Sequence, residues 1–281
     1  IAPSGAGRAL VTLDGQPMND PFGGWVIWGA LPSETIEGAD IVRGAGAGPY
    51  GAGALTGVVR LRERRGQGAA LTAEAGEKGY ARLSGVGEAH GDAVSMMLGA
   101  SAQVSDGWIA VRDGRGLADV ALASDSVTGV ARVEWRGDDL VLAARLGAYS
   151  EWRSAGLVGA DSLSEGASFS LTLADPLGPF AWRVQAWALQ SDLYNASVSV
   201  APDRSTTTPA NVQFETPAFG WGGNATVRWS GDWGGFELGA DLRTADGETR
   251  ELFSYVGGAF TRSRIAGGRT LTAGAYVEGW R

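Results

Sequence analysis

Few residues in this 281-residue chain belong to the types that carry out covalent catalysis. There is no cysteine and a single histidine, His90, which excludes thiol nucleophiles, thiolate metal sites and multi-histidine zinc sites. Asp and Glu number 31, but none lies in a setting typical of a glycosidase acid–base pair. Asp106, Asp113, Asp119 and Asp125 offer hard oxygens to Ca²⁺, although their spacing is not that of an EF-hand loop. We therefore expect neither an enzyme, nor a cofactor, nor a metal site.

A glycine pattern at residues 46–51 fits G-x-G-x-x-G, which cradles a pyrophosphate in dinucleotide-binding proteins. That use requires a long amphipathic helix directly afterwards. Here a second strand-like stretch, residues 56–62, follows almost at once. We therefore interpret these glycines as positions of positive φ and close backbone packing.

The composition indicates a glycine-rich β protein. Glycine accounts for 45 residues, about twice its usual share, and it separates short alternating stretches. No run of 18 apolar residues could form a transmembrane helix. The net charge of −8 argues against a nucleic-acid partner, whose phosphates require a basic surface.

Ten segments after residue 66 alternate strictly between apolar and polar residues. Each has about the 9–11 residues that a tilted strand needs to cross a bilayer. The segments are 69–77, 80–89, 93–105, 127–137, 139–150, 167–175, 181–193, 222–231, 235–245 and 269–280. A short helix is expected near residues 32–36, with Pro32 at its start.

The connections between these segments distinguish a membrane barrel from a soluble sandwich, which would also alternate. Short turns alternate with long loops at residues 106–126, 151–166, 194–218 and 246–268. This is the arrangement of an up-and-down transmembrane barrel, with the long loops outside the cell if the first strand rises from the periplasm. Outward-facing aromatic residues gather at the short-turn end, as in a membrane girdle: Trp135, Trp182, Trp229 and Phe236.

Residues 10–62 resemble the second half of the plug domain of TonB-dependent outer-membrane receptors. Residues 10–20 are similar to that family's LLDGVPLND stretch, and residues 31–37 to its LP-ESIERIE stretch. Residues 39–61 resemble EVVRGPGSALYGSGALGGVINI, with most glycines in register. The matching plug-motif positions are Asp14, Gly15, Arg43, Gly44, Tyr50, Gly51 and Gly57.

The resemblance implies an all-β fold with a small α content in the plug. Residues 1–66 would be the C-terminal part of the plug domain, and residues 67–281 the N-terminal part of a transmembrane β-barrel. A 22-stranded barrel has a lumen that must be plugged. The ten alternating segments correspond to about ten of the 22 strands, so we expect an open sheet. The first half of the plug and the segment that contacts TonB would be absent from this chain.

The resemblance also assigns candidate sites. The apical ligand loop maps to residues 16–30, where the ligand-binding candidates are Asn19, Asp20, Phe22, Trp25 and Trp28. Trp108, Tyr149, Trp152, Tyr194 and Trp221 at the lip are secondary candidates. From the alternation, charged residues would line the barrel lumen: Arg132, Glu134, Arg145, Arg183, Arg228 and Asp241.

The implied function is TonB-dependent, energised uptake of a scarce ligand at the bacterial outer membrane. The partners would be outer-membrane lipid, the TonB complex and a small-molecule ligand. A metal chelate, namely a ferric siderophore, is the first candidate, with cobalamin, haem or a glycan as alternatives. Two other classes stay open at this point: a small outer-membrane porin or surface-binding barrel, and a secreted β-sandwich enzyme acting on polysaccharide.

Overall fold

The computed structural model describes residues 9–44 and 56–281, which form a small and a large β-sheet. The small sheet contains β1 (Ala9–Leu13), β2 (Gln16–Pro17), β3 (Ile36–Arg43) and β4 (Gly57–Glu63). Its order is β2-β1-β4-β3, with β1 and β4 parallel and the other pairs antiparallel. Leucine and valine side chains from β1 and β4 form its buried core.

Local sequence explains the turns of the small sheet. Asp14 and Gly15 connect β1 to β2 with φ values of 47° and 90°, and a two-residue hairpin turn of this kind favours Asp-Gly. The helix expected near residues 32–36 is a three-residue 3₁₀ turn, Ser33–Thr35, because Ile36 already pairs with β4. A second 3₁₀ turn covers Trp28–Ala30. The expected α content is therefore not found in the described residues.

The large sheet contains the remaining eleven strands. They are β5 (Gly68–Ala75), β6 (Ala81–His90), β7 (Val94–Ser105), β8 (Ser124–Arg136), β9 (Val141–Ser154), β10 (Asp161–Asp175), β11 (Phe180–Val200), β12 (Thr207–Glu215), β13 (Ala218–Gly231), β14 (Gly234–Val256) and β15 (Ala259–Trp280). Sequential antiparallel pairing runs from β5 to β15, except that β13 follows β11. Over residues 68–280, β5 and β15 each pair on one side only, so the sheet is open as expected.

All ten predicted segments are strands, but two predicted long loops are not loops. In the region 194–218, β11 continues to Val200, and β12 pairs with the C-terminal parts of both β11 and β14. In the region 246–268, β14 and β15 continue as one long hairpin that turns at Gly257 and Gly258. Residues 194–218 contain three prolines, which favoured the loop interpretation, yet Pro209 lies within β12.

The two faces of the large sheet differ in the way that the alternation predicts. On β9, the outward-facing Leu146 is 59% exposed whereas the inward-facing Arg145 is 5% exposed. On β8, Val133 and Trp135 are exposed and Arg132 and Glu134 are buried. The apolar side chains thus point away from the small sheet, which rules out a sandwich with a dry centre. No helix among the described residues is long and apolar enough to cross a membrane.

Candidate functional site

The small sheet is attached to the inner face of the large sheet through a group of charged side chains, four of them buried, here called the interface cluster: Asp14, Glu63, Arg65, Arg132, Glu134 and Arg145. At its centre, Glu63 ends β4 and is fully buried. The Nε of Arg145 donates a hydrogen bond of 2.8 Å to Oε1 of Glu63. Nη1 of Arg132 lies 3.6 Å from the other carboxylate oxygen. Two guanidinium groups of the large sheet therefore share one carboxylate of the small sheet.

The Asp14–Gly15 turn is the second contact between the sheets. Its backbone carbonyl at Asp14 accepts hydrogen bonds from Arg183 (2.6 Å) and Gln185 (3.2 Å) of β11. The Asp14 carboxylate forms an ion pair with Arg65 at 3.1 Å. A side chain at Gly15 would place its Cβ 2.8 Å from a nitrogen of Arg183, and the φ of 90° is itself unfavourable for other residues. The Asp-Gly pair thus serves both the turn and the contact.

Further charges extend the contact on both sides. Arg65 lies 3.5 Å from Glu134, and Arg64 forms an ion pair of 3.1 Å with Glu88. Arg82 on β6 reaches Glu34 in the small sheet's connection at 2.6 Å. Sequence analysis assigned no role in this contact to Glu63, Arg64 and Arg65. The signal that could have found them is the run of charges at residues 62–65, next to the predicted boundary between the plug and the barrel.

The predicted lumen residues divide into two groups. Arg132, Glu134, Arg145 and Arg183 all contact the small sheet or the residues directly after it. The other two contact only the large sheet among the described residues: Arg228 lies 3.4 Å from Glu237, and Asp241 lies beside Gly274.

The plug-motif positions also divide. Asp14 and Gly15 lie at the contact described above. Arg43 and Gly57 are cross-strand partners at the other end of the small sheet, and Gly44, with a φ of 96°, donates a backbone hydrogen bond to Thr56. Tyr50, Gly51 and the glycine pattern at residues 46–51 lie outside the described residues.

Two of the predicted ligand-binding side chains are engaged in holding the apical loop, residues 16–30. The Asn19 amide accepts from Val11 N–H and donates to the carbonyls of Ala9 and Gly24. The Asp20 carboxylate accepts two backbone N–H groups of its own loop, and its second oxygen accepts the Ser191 hydroxyl at 2.5 Å. Both side chains have a structural role here.

The aromatic residues of the apical loop are more accessible. Trp28 is 57% exposed and Phe22 is 38% exposed, the latter packing against Gly247 on β14. The Trp25 ring covers Gly23 and lines a cavity of 40 Å³ with Tyr149. Among the lip residues, Tyr149 has inward parity, whereas Trp152, Tyr194 and Trp221 lie at outward-facing positions of their strands. The latter three therefore belong to the outer surface and not to the lumen.

A second buried ion pair, here called the loop clamp, joins three connections at the long-loop end. Nε of Arg204, between β11 and β12, donates to Asp119 Oδ2 at 2.8 Å, and the backbone N–H of Gly116 donates to the same carboxylate. Because of the hydrogen bonds from Arg204 and then Gly116, the pKa of Asp119 falls to about 2. Ala118 accepts a backbone hydrogen bond from Val158 in the loop between β9 and β10.

The aspartates of the first long loop do not form a metal-binding cluster. The described residues contain no group of three or more acidic or histidine side chains that could hold a metal.

Comparisons with known proteins point to one family. Residues 3–58 match the model of the TonB-dependent Receptor Plug Domain. Among solved structures, the copper transporter OprC is similar with a TM-score of 0.76 at 15% identity, covering 97% of this chain and 44% of OprC. The siderophore receptor PirA from Acinetobacter baumannii has a TM-score of 0.64 at 13% identity, covering 99% of this chain and 51% of PirA. The FrpB iron transporter from Neisseria meningitidis has a TM-score of 0.67 at 10% identity, covering 98% of this chain and 54% of FrpB.

The chain spans about half the length of these structures. A search of curated proteins finds no match. The matched family consists of receptors and transporters, which confirms the expectation of a protein that is not an enzyme. Residues 3–58 thus match the plug domain of TonB-dependent receptors, and the chain as a whole shares the fold of these solved receptors and transporters.

Proposed function

We propose that this chain forms the plug and barrel wall of an outer-membrane receptor that takes up a scarce ligand with energy supplied through TonB. The observation that carries this proposal is the interface cluster. A small domain is held against the inner wall of the large sheet by charged groups, while the outer wall is apolar. We also propose that residues 1–66 act as the plug unit and residues 67–281 as the barrel unit.

The spacing of aromatic residues on the outer wall supports placement in a membrane. Trp182 and Tyr194 on β11 are 12 residues apart, and Trp221 and Trp229 on β13 are 8 residues apart. At about 3.3 Å per residue and a tilt of about 45°, these separations correspond to roughly 19 to 28 Å of membrane depth. The apolar band of outer-membrane barrels is about 25 Å tall and has aromatic residues at both boundaries.

A metal chelate is the ligand class that the available groups favour. OprC is a copper transporter, but bare copper ions are selected by thiolate, thioether and imidazole ligands. This chain has no cysteine, and its one histidine, His90, ends β6 beside a short turn, far along the strand from the apical loop. The exposed Trp28 and Phe22 suit a bulky, partly apolar ligand instead. PirA is a siderophore receptor, and a ferric siderophore is our first candidate, ahead of cobalamin, haem or a glycan.

The proposed mechanism requires no covalent chemistry. Ligand binding at the apical loop would bias the plug, and the TonB complex would supply the work. The plug can move only if the ion pairs that Glu63 and Asp14 form with Arg145 and Arg132 of the barrel wall are exchanged or broken. These contacts are therefore the ones that the energised step acts upon.

The test is ligand binding and uptake by the full-length protein. Binding in detergent is measured across a panel of ferric siderophores, haem and cobalamin, and uptake is measured with and without the TonB energy supply. We expect binding of one ferric chelate and uptake that stops without TonB. Trp25→Ala with Trp28→Ala should weaken binding, with Trp233→Ala, an exposed residue of a short turn, as the matched control. Uptake that is independent of TonB would contradict the receptor function, and unchanged affinity would remove the apical-loop assignment.

A further inference from the structure

One row of cross-strand partners on the inner wall has a composition unlike its surroundings. Trp187 on β11 pairs with Gly222 on β13, which pairs with Arg243 on β14, which pairs with Thr272 on β15. An indole, a gap, a guanidinium and a hydroxyl thus lie side by side at one level. A Cβ at Gly222 would lie 2.7 Å from the Trp187 ring, so glycine is what allows the indole to lie across this position toward Arg243.

This row lines a cavity of about 230 Å³ between the inner wall and the apical loop. The plug side is formed by Pro17, Asn19 and Pro21, and Pro21 approaches the wall at Gly220, where a Cβ would lie 2.9 Å from its ring. Pockets for complete drug-sized ligands are about 300–1,000 Å³. The cavity is therefore suited to one substituent of a larger ligand and not to a whole chelate.

Arg243 differs in its side-chain partners from four other arginines of the inner wall. Arg132, Arg145 and Arg183 bond to the plug region, and Arg228 lies 3.4 Å from Glu237. The guanidinium of Arg243 forms no hydrogen bond and no ion pair within 4 Å with any described residue, and the charge that acts on it is Asp241 on its own strand. The N–H donors of this partly buried guanidinium are therefore available to an acceptor that enters the cavity.

We infer that the cavity at Trp187, Arg243 and Thr272 is a binding subsite for an aromatic group that carries acidic oxygens. The planar guanidinium can bind a carboxylate or a pair of phenolate oxygens through two parallel N–H groups. The indole provides a face for stacking an aromatic ring, and the Thr272 hydroxyl can donate to the same oxygens. The inference deepens the proposed function, on which it rests, by naming the chemical group that passes beside the plug.

The experiment is ligand-observed ¹⁹F NMR with 4-fluorobenzoate and the full-length protein in detergent. We expect line broadening with the wild type and a loss of affinity of at least about tenfold in Arg243→Gln, because a charge-assisted bidentate contact is removed. Thr272→Val should lose less, and Arg243→Lys should lie between wild type and Arg243→Gln. Arg228→Gln is the matched control and should bind as the wild type does.

Three outcomes would overturn the inference: equal binding by Arg243→Gln, equal binding of uncharged 4-fluorobenzyl alcohol, or displacement by acetate as effective as by benzoate, which would indicate a plain anion site. Heat-modifiable gel mobility checks folding, and if Arg243→Gln fails to fold, the Lys and Thr272→Val variants decide. The result is independent of the uptake assay. Binding without TonB-dependent uptake would contradict the proposed function alone, and uptake without fluorobenzoate binding would contradict the subsite alone.

Discussion

The interface cluster and the loop clamp both bury a carboxylate against arginine, but they differ in what else holds their partners together. At the interface cluster, Glu63 and the two arginines belong to separate sheets, and no backbone–backbone hydrogen bond joins those sheets over residues 9–44 and 56–281. At the loop clamp, Asp119 and Arg204 belong to loops of one sheet, and backbone hydrogen bonds join those loops as well. Charges thus dominate the contact between the two sheets, whereas at the loop clamp they reinforce a contact that the backbone already makes.

The substitution Glu63→Gln tests most directly whether charge holds the two sheets together. Removing the carboxylate leaves Arg132 and Arg145, each about 5–6% exposed, without their shared counter-charge. Breaking a buried pair by removing one partner costs about 3–5 kcal/mol, so we expect a loss of this size in the free energy of unfolding of the plug. Urea unfolding followed by hydrogen exchange of the β4 amides measures it.

Glu34→Gln is the matched control, because Arg82 keeps a second partner, Glu74, at 2.9 Å. Its cost should stay below about 1 kcal/mol, as for a pair that is not deeply buried. Similar losses in the two variants would show that Glu63 has no special part in holding the plug.

Uncharged packing at the same interface should have a smaller effect. A methyl group in Gly99→Ala would overlap the Thr35 side chain of the plug and lie 3.1 Å from Val130. Overpacking of this kind costs about 1–3 kcal/mol, visible as a lower midpoint in differential scanning calorimetry. Gly129→Ala on the adjacent strand points outward with nothing within 4 Å and should leave the midpoint unchanged. If Gly99→Ala destabilised more than Glu63→Gln, packing and not charge would dominate the interface.

The sequence predicted which residues face each side of the large sheet, but it did not predict the contacts between the two sheets. Strict alternation placed Arg132 and Arg145 on the inner face and Leu146 on the outer face, since the side-chain period of a strand is fixed. The same counting would have placed Tyr194 outside, because it shares the parity of Trp182. Glu63 was not predicted, because alternation gives the face of a strand but not the partner that a separate sheet presents. Pro209 hid β12, because proline usually ends a strand.

The loop clamp should respond more locally. Asp119→Asn keeps the shape of the side chain but loses the charge that faces Arg204. Because a charge-assisted hydrogen bond is about twice as strong as a neutral one, we expect hydrogen exchange at Ala118 and Val158 to become roughly tenfold faster. Exchange in β4 should not change. Asp113→Asn, an exposed position of the same loop, is the control. Faster exchange throughout the plug would contradict the separation of the two contacts.

The pH dependence of the loop clamp is the smallest of these effects. The folded pKa of Asp119 is about 2, below its usual value of 3.8. A depressed carboxyl pKa contributes stability that is complete above the unfolded value and is lost as pH falls through the folded one. The clamp should therefore hold at pH 4 and weaken between about pH 4 and pH 2.

Pepsin cleavage beside Leu117, which is 85% exposed, measures the effect at acid pH. The ratio of the wild-type rate to that of Asp119→Asn cancels the pH profile of the protease itself. This ratio should stay below one at pH 4 and approach one near pH 2, because a protonated Asp119 and an asparagine present similar neutral groups to Arg204. A ratio already near one at pH 4 would mean that the Asp119 carboxylate is not held by Arg204, and that backbone hydrogen bonds alone join the three loops.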